Sequence, residues 1–278
     1  MRLLSSRTLA IAAAGGLAAL MPLAAPGSAL AVAHRGLLIP TGPRVVLPTG
    51  AVQQTSLNWS GYAYNPGSGI TAVTSTYVVP AVQSAAPGFS AAWTGIGGDG
   101  SSDLIQAGTG QDSTGGTAYY AWYEILPASE TRIANCTGVA ACTVSPGDTM
   151  TVNIAETSFN VWTITMSARG TDNWTWSITN LAYTSTHSSA EWILEAPTVG
   201  AQTLLDHVGN VRFDPNNTFT RNGTTQKMGA APLDQIILTP DPSGLVKPAA
   251  EATPGPVDGD SDGFLDCSYQ SSCPTLSS

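Results

Sequence analysis

The feature that most constrains this chain is a run of short segments rich in Val, Ile, Thr, Tyr and Trp, broken by turn residues. Nowhere does an apolar residue recur at helical spacing over a sustained stretch. The segments Asn58–Tyr64, Ile70–Val79, Ala91–Ile96, Ala118–Ile125, Thr149–Ala155, Asn160–Ala168, Trp174–Asn180, Ala190–Ala196, Asn210–Phe213 and Leu233–Leu238 alternate apolar and polar residues, as half-buried strands do. Turns such as Asn65-Pro66-Gly67, Ser145-Pro146-Gly147-Asp148 and Asn222-Gly223 have a chemical cause, since Pro presets φ and Gly or Asn tolerates a left-handed backbone. Ten or more short strands at this spacing predict an all-β fold, a sandwich of two antiparallel sheets ahead of a barrel. No internal repeat and no linker after residue 53 divides the chain.

The N-terminus reads differently from the rest. Arg2 and Arg7 precede an apolar run from Leu9 to Ala25, and Ala29-Leu30-Ala31 or Ala31-Val32-Ala33 offers a small-x-small cleavage site. Residues 1–33 are therefore expected to be an export signal. Residues 34–52, with Pro40, Pro43 and Pro48, are expected to be an extended leader or short pro-segment before the domain at 53–278. No later segment approaches the roughly 20 apolar residues of a spanning helix. A secreted, monomeric protein with no membrane contact after signal removal follows as the expectation.

Charge narrows the partners. From residue 51 onward six basic residues stand against nineteen acidic ones, and such a body repels phosphate backbones, so nucleic acid is excluded as a partner. Only 10% of residues are charged, so few ion pairs exist to be lost in acid. The four cysteines, Cys136, Cys142, Cys267 and Cys273, form two C-x5-C units in an exported chain. Three disulfide connectivities are open to them, and the shared spacing favours two local loops, Cys136–Cys142 and Cys267–Cys273. Metal ligation by these thiols fits no common zinc spacing.

Several chemistries fit poorly. There is no G-x-S-x-G elbow, and His187 and His207 have no nucleophile context. Asp258-Gly259-Asp260-Ser261-Asp262-Gly263 imitates the start of a calcium loop, but its twelfth position is Tyr269 rather than a bidentate Glu. An acidic turn is the plainer reading, and no metal is expected.

Carboxylates on strands remain. Alternation puts Glu191, Ile193 and Glu195 on one face of Ala190-Glu191-Trp192-Ile193-Leu194-Glu195, and puts Trp122 with Glu124 on one face of their own segment. A Glu inside an apolar strand is costly unless it is bonded, used or turned to solvent. The strings Asn58-Trp59-Ser60-Gly61-Tyr62, Trp93-Thr94-Gly95-Ile96, Leu104-Ile105-Gln106-Ala107-Gly108, Ala121-Trp122-Tyr123-Glu124, Pro146-Gly147-Asp148 and Ala190-Glu191-Trp192-Ile193 occur in that order. In this the chain resembles the glutamic peptidases, or eqolisins, from about Leu57 through Phe213.

The resemblance implies a lectin-like sandwich and an acid endopeptidase acting on polypeptides without a cofactor. It implies a catalytic pair, Glu191 and Gln106, with Trp93 and Trp122 lining the cleft and Glu124 and Glu195 beside it as substrate-binding candidates. The sequence departs from the family in three places. Gly97-Gly98-Asp99 stands where Asp-Gly is usual, Tyr120-Ala121-Trp122-Tyr123-Glu124-Ile125-Leu126 lacks an acidic residue and a distal aromatic, and Asp112 is the nearest substitute for an Asp expected near Gly110. Two other classes compete with a peptidase. A glycoside hydrolase would use Glu124 and Glu191 as its carboxylate pair, and a carbohydrate-binding or adhesion domain would use the aromatic residues as a platform.

Overall fold

A computed structural model describes residues 36–48, 50, 52–83, 88–239 and 250–277. The expected export signal lies outside the described residues. Two sheets account for the architecture. The first runs β8 (Thr131–Arg132), β7 (Ala118–Ile125), β6 (Leu104–Asp112), β5 (Phe89–Gly97), β12 (Ala190–Glu195), β3 (Trp59–Tyr64), β18 (Asp234–Leu238), β2 (Val52–Ser56) and β1 (Val45–Val46). The second runs β11 (Trp174–Ala182), β10 (Val161–Arg169), β9 (Thr149–Ser158), β4 (Ile70–Val78), β16 (Thr218–Arg221) and β17 (Thr224–Lys227). A band of β15 (Asn210–Phe213), β20 (Phe264–Ser268) and β19 (Ala252–Pro254) joins β4 to β18, and a small hairpin pairs β13 (Thr198–Val199) with β14 (Ala201–Gln202). Among these strands the pairings are antiparallel except that of β2 with β18, and Phe89 makes an isolated parallel bridge with Leu205. The expected all-β sandwich is the fold.

Alternation decides which residues fill the space between the sheets. Trp192, Ala190 and Leu194 of β12 point inward with Ile105 and Ala107 of β6, Ala92 and Ile96 of β5, and Trp162, Met150 and Ile154 from the other sheet. Burying such side chains is worth roughly 1.5–3 kcal/mol each. Two polar groups cross the layer: Trp192 Nε1 donates to Thr74 O at 2.9 Å and Tyr77 Oη donates to Thr109 Oγ1 at 3.2 Å.

A second apolar cluster lies on the opposite face of the first sheet. It contains Trp59, Trp93, Leu104, Tyr120, Trp122, Ile193 and Ile236, and Leu37 and Leu38 pack against it. Trp93 and Trp122 therefore belong to the outer face of this sheet rather than to the core between the sheets. Residues 36–48, within the segment expected to be an extended leader or short pro-segment, pack against the domain. They lie along β2, with Val45 opposite Gln53 and Thr41 N donating to Thr55 O at 2.9 Å.

The cysteines form the two local loops expected of them, Cys136–Cys142 and Cys267–Cys273, and no described cysteine is free. Among the described residues no helix is long and apolar enough to cross a membrane.

Candidate active site

The site is set by register. Across the first sheet Glu191 of β12 sits opposite Gly95 of β5, Gly95 opposite Gln106 of β6, and Gln106 opposite Glu124 of β7. On the other side Glu191 faces Ala63 of β3, which faces Asp234 of β18. Residues in register share a face, so Asp234, Glu191, Gln106 and Glu124 all rise from the same side. One residue pair along lies a second row: Ile236, Gly61, Ile193, Trp93, Gly108 and Trp122. Trp59, Glu195, Ala91, Gly110 and Tyr120 form a third. Polar chemistry occupies the first row, with aromatic walls beside it.

Glycine makes the floor of this face. Gly61 has φ +132°, and a Cβ there would stand 2.1 Å from Trp192 O, which excludes every other residue from that position. Between Glu191 and Gln106 the intervening residue is Gly95, whose missing side chain leaves a gap across one strand. A Cβ on Gly95 would meet the Trp93 ring at 3.0 Å and Gln106 Cβ at 3.1 Å.

Glu191 is fully buried, and neither of its oxygens meets a hydrogen-bond donor among the described residues. Burial pushes its carboxyl well above the ordinary range. The Ser189 hydroxyl opposes that shift without forming a bond of normal geometry, while Asp99 and Asp103 reinforce it. Gln106 is also fully buried, and its Nε2 donates to Glu124 Oε2 at 2.9 Å, which fixes the orientation of the amide. Trp93 Nε1 donates to Glu195 Oε2 at 2.7 Å, and the Trp93 ring meets Trp59 edge-on at 4.9 Å. At the far end Tyr120 Oη donates to Asp112 Oδ2 at 2.9 Å.

The first residues of the strap at 36–48 close over this face. Gly36 N donates to Glu195 Oε1 at 3.2 Å, and Trp59 Nε1 donates to Gly36 O at 3.1 Å. Asn58 holds the next turn, its Nδ2 on Leu37 O and its Oδ1 on Ile39 N. Further along, Arg44 forms an ion pair with Asp234. Glu191, Gln106, Glu124 and Glu195 are each 0% exposed beneath this arrangement.

All six candidates of the sequence reading, Glu191, Gln106, Trp93, Trp122, Glu124 and Glu195, thus fall on one face. Asp99, Asp103, Ser189, Trp59 and Asp234 share the neighbourhood without having been singled out. Asp99 was visible only as part of the unusual Gly97-Gly98-Asp99; its carboxylate lies 3.2 Å from Asn65 Nδ2. His187 sits elsewhere, 2.9 Å from Glu156 and packed on Trp162, while His207 stacks on Tyr269.

The match to the family described as Peptidase A4 covers residues 57–241, and the chain belongs to that family and is a glutamic endopeptidase. Scytalido-glutamic peptidase, crystallised with a transition state analog inhibitor, superposes with a TM-score of 0.59 at 21% identity, covering 77% of this chain and 98% of that one. SCP-B, described as a member of the eqolisin family of peptidases in complex with the tripeptide Ala-Ile-His, gives 0.52 at 21% identity over 77% and 98%. No curated protein matches the chain.

Proposed function

We propose that this protein is a secreted acid endopeptidase that cuts polypeptides with Glu191 as general base and Gln106 as the group that positions water and binds the oxyanion. The supporting observation is the register row. Glu191 and Gln106 stand two strand spacings apart, roughly 9–10 Å of backbone, with only Gly95 between them. That gap suits a water and a scissile carbonyl held between two side chains.

Ionised Glu191 takes a proton from the water as the oxygen attacks the carbonyl carbon. The Gln106 amide donates to the carbonyl oxygen as negative charge develops there. Protonated Glu191 then returns the proton to the leaving amine as the C–N bond breaks. One carboxyl serves as base and then acid, and the reaction draws on no cofactor. Glu124 acts through Gln106, accepting a hydrogen bond from its Nε2 and so fixing the orientation of the amide. Trp93 and Trp122 wall the cleft beside the reacting row, and Glu195 positions Trp93.

The site is closed in this conformation, so the strap at 36–48 moves aside or is trimmed before substrate enters. Export follows from the N-terminal pattern, and the chain acts as a monomer. A glycosidase reading would need Glu124 and Glu191 as partners. Gln106 stands between them in the row and its Nε2 engages Glu124 Oε2, so the two carboxyls do not face one another across an open gap. The test is to supply denatured protein and, separately, polysaccharides between about pH 2 and 7, with wild type beside Glu124→Gln. The proposal expects peptide products only, with Glu124→Gln retaining measurable turnover. Release of reducing sugar abolished by Glu124→Gln would overturn it.

A further inference from the structure

We propose that Asp214, Asp258 and Asp262 form a calcium-binding site, separate from the peptidase cleft, at the junction of the β15–β16 and β19–β20 loops. The three residues are buried, and each offers a carboxylate oxygen within 4.8 Å of the others. Asp258 and Asp262 are 5% and 4% exposed, and Asp258 Oδ2 and Asp262 Oδ1 are buried with no hydrogen-bond partner among the described residues. An unpartnered carboxylate oxygen taken out of water is costly, so two in one place call for a cation.

The remaining oxygens are tied, which leaves the free ones aimed together. Asp262 N donates to Asp258 Oδ1 at 3.1 Å, Asn216 N donates to Asp262 Oδ2 at 3.2 Å, and Arg212 Nε donates to Asp214 Oδ2 at 3.0 Å. Asp258 Oδ2 and Asp214 Oδ1 then converge on the space that Gly263 leaves open: a Cβ there would lie 2.5 and 2.6 Å from them. Asp214 thus supplies the carboxylate missing from the acidic loop at position Tyr269. It comes from a different part of the chain, where sequence spacing could not show it.

The donor set selects the ion. It is all oxygen, without imidazole or thiolate, which disfavours zinc. It joins carboxylates from two separate loops, which suits calcium, with its six to eight ligands and loose geometry, better than magnesium, which keeps several of its waters. At the rim Lys227 Nζ lies 3.2 Å from Asp260 Oδ2 and 3.4 Å from Asp262 Oδ2, where it competes with the ion. Arg212 beside Asp214 is the other cation facing the cluster. A dication in that space offsets the mutual repulsion of three carboxylates.

The experiment uses the purified full chain, stripped with chelator and dialysed near pH 7 against calcium chloride alone. The proposal expects one calcium per chain with a Kd of about 1 mM or tighter, the range of extracellular calcium modules. It also expects a melting temperature that rises with calcium and little with equal magnesium. Asp258→Asn should weaken binding at least about tenfold, and Lys227→Met, which removes the competing ammonium, should tighten it. Should Asp258→Asn fail to fold, wild type and Lys227→Met still decide the matter. No bound calcium in wild type at about 10 mM, or a Kd indifferent to both substitutions, would overturn the site.

Discussion

Glu191 and Gln106 occupy one row of the first sheet, separated by a single glycine on the strand between them. In the proposed mechanism that relationship sets an acid–base group and an amide donor on either side of a gap. It also makes Gly95 a residue on which the chemistry depends. Gly95→Ala places a methyl 3.0 Å from the Trp93 ring and 3.1 Å from Gln106 Cβ, at the edge of the gap. We expect kcat/KM on a denatured protein to fall about 10- to 100-fold, since small misplacements of reacting groups have that effect, while the overpacked methyl costs about 1–3 kcal/mol of stability. A large loss of stability with unchanged specific activity would show that Gly95 serves packing alone.

The buried carboxyl of Glu191 sets where activity appears on the pH scale. Burial beneath the strap raises Glu191 in the closed form; opening returns water to the carboxyl, so kcat/KM on the acid limb rises with pH through the pKa of the open site, where the base is ionised. Burial is the main cause of the raised value, and the negative charges of Asp99 and Asp103 add to it. Asp99→Asn removes one of those charges and should move the acid limb of the profile to lower pH. A limb that stays in place, or moves up, would contradict the electrostatic account.

Stability should rise on acidification from neutral pH. Burial raises Asp266 to about 7, against donors from Ser60 and Cys267, and raises Asp234 to about 6 despite Arg44. Such groups bind protons more tightly folded than unfolded. Their contribution is complete below the ordinary value of 3.8 and is lost as pH climbs through their folded values. The gain is on the order of a few kcal/mol between about pH 7 and pH 4. Asp103 works the other way, because donors from Thr186, Ser101 and Ser185 outweigh its burial and hold it low, so its contribution disappears in stronger acid. Thermal melts should therefore peak near about pH 4, and a melting temperature that falls steadily from pH 7 downward would be contrary to this.

The strap over the cleft should restrain the enzyme. Leu37 and Leu38 pack on the cluster that contains Trp93 and Trp122, and Gly36 binds Glu195. Replacing both leucines with serine removes apolar burial worth roughly 1.5–3 kcal/mol each. The open fraction should grow, and kcat/KM for a long polypeptide should rise about tenfold or more, because apparent affinity scales with the competent population. Unchanged or reduced kcat/KM in the double variant would assign the strap to structure alone.

Much of this fold is legible from alternation. The strands from Ala118 to Ile125 and from Asn210 to Phe213 match their expected bounds, and most others shift by one to three residues. The strand that carries Gln106 was not foreseen as a strand. Leu104–Asp112 contains Gly108, Gly110, Gln106, Gln111 and Asp112, a composition that propensity assigns to a loop. The glycines are there because a Cβ on Gly108 would strike Trp93 and one on Gly110 would strike the Tyr120 ring, contacts that exist only across strands. The placement of Glu191 and Gln106 in one row is likewise a fact of pairing, which no single strand contains. The strap shows the same limit, since its Pro-rich composition reads as an extended leader or short pro-segment while its contacts with Trp59 and Glu195 are set by tertiary packing.

The most direct test of the account is turnover of a denatured protein by the purified chain in acid, with wild type beside Glu191→Gln and Gln106→Ala. Both variants keep a side chain that fits the row, and the melting temperature reports whether each is folded. We predict that Glu191→Gln abolishes cleavage, and that Gln106→Ala lowers kcat by about 100-fold or more, the loss that follows removal of an oxyanion donor. Folded variants that both cleave at wild-type rates would contradict the Glu–Gln mechanism outright.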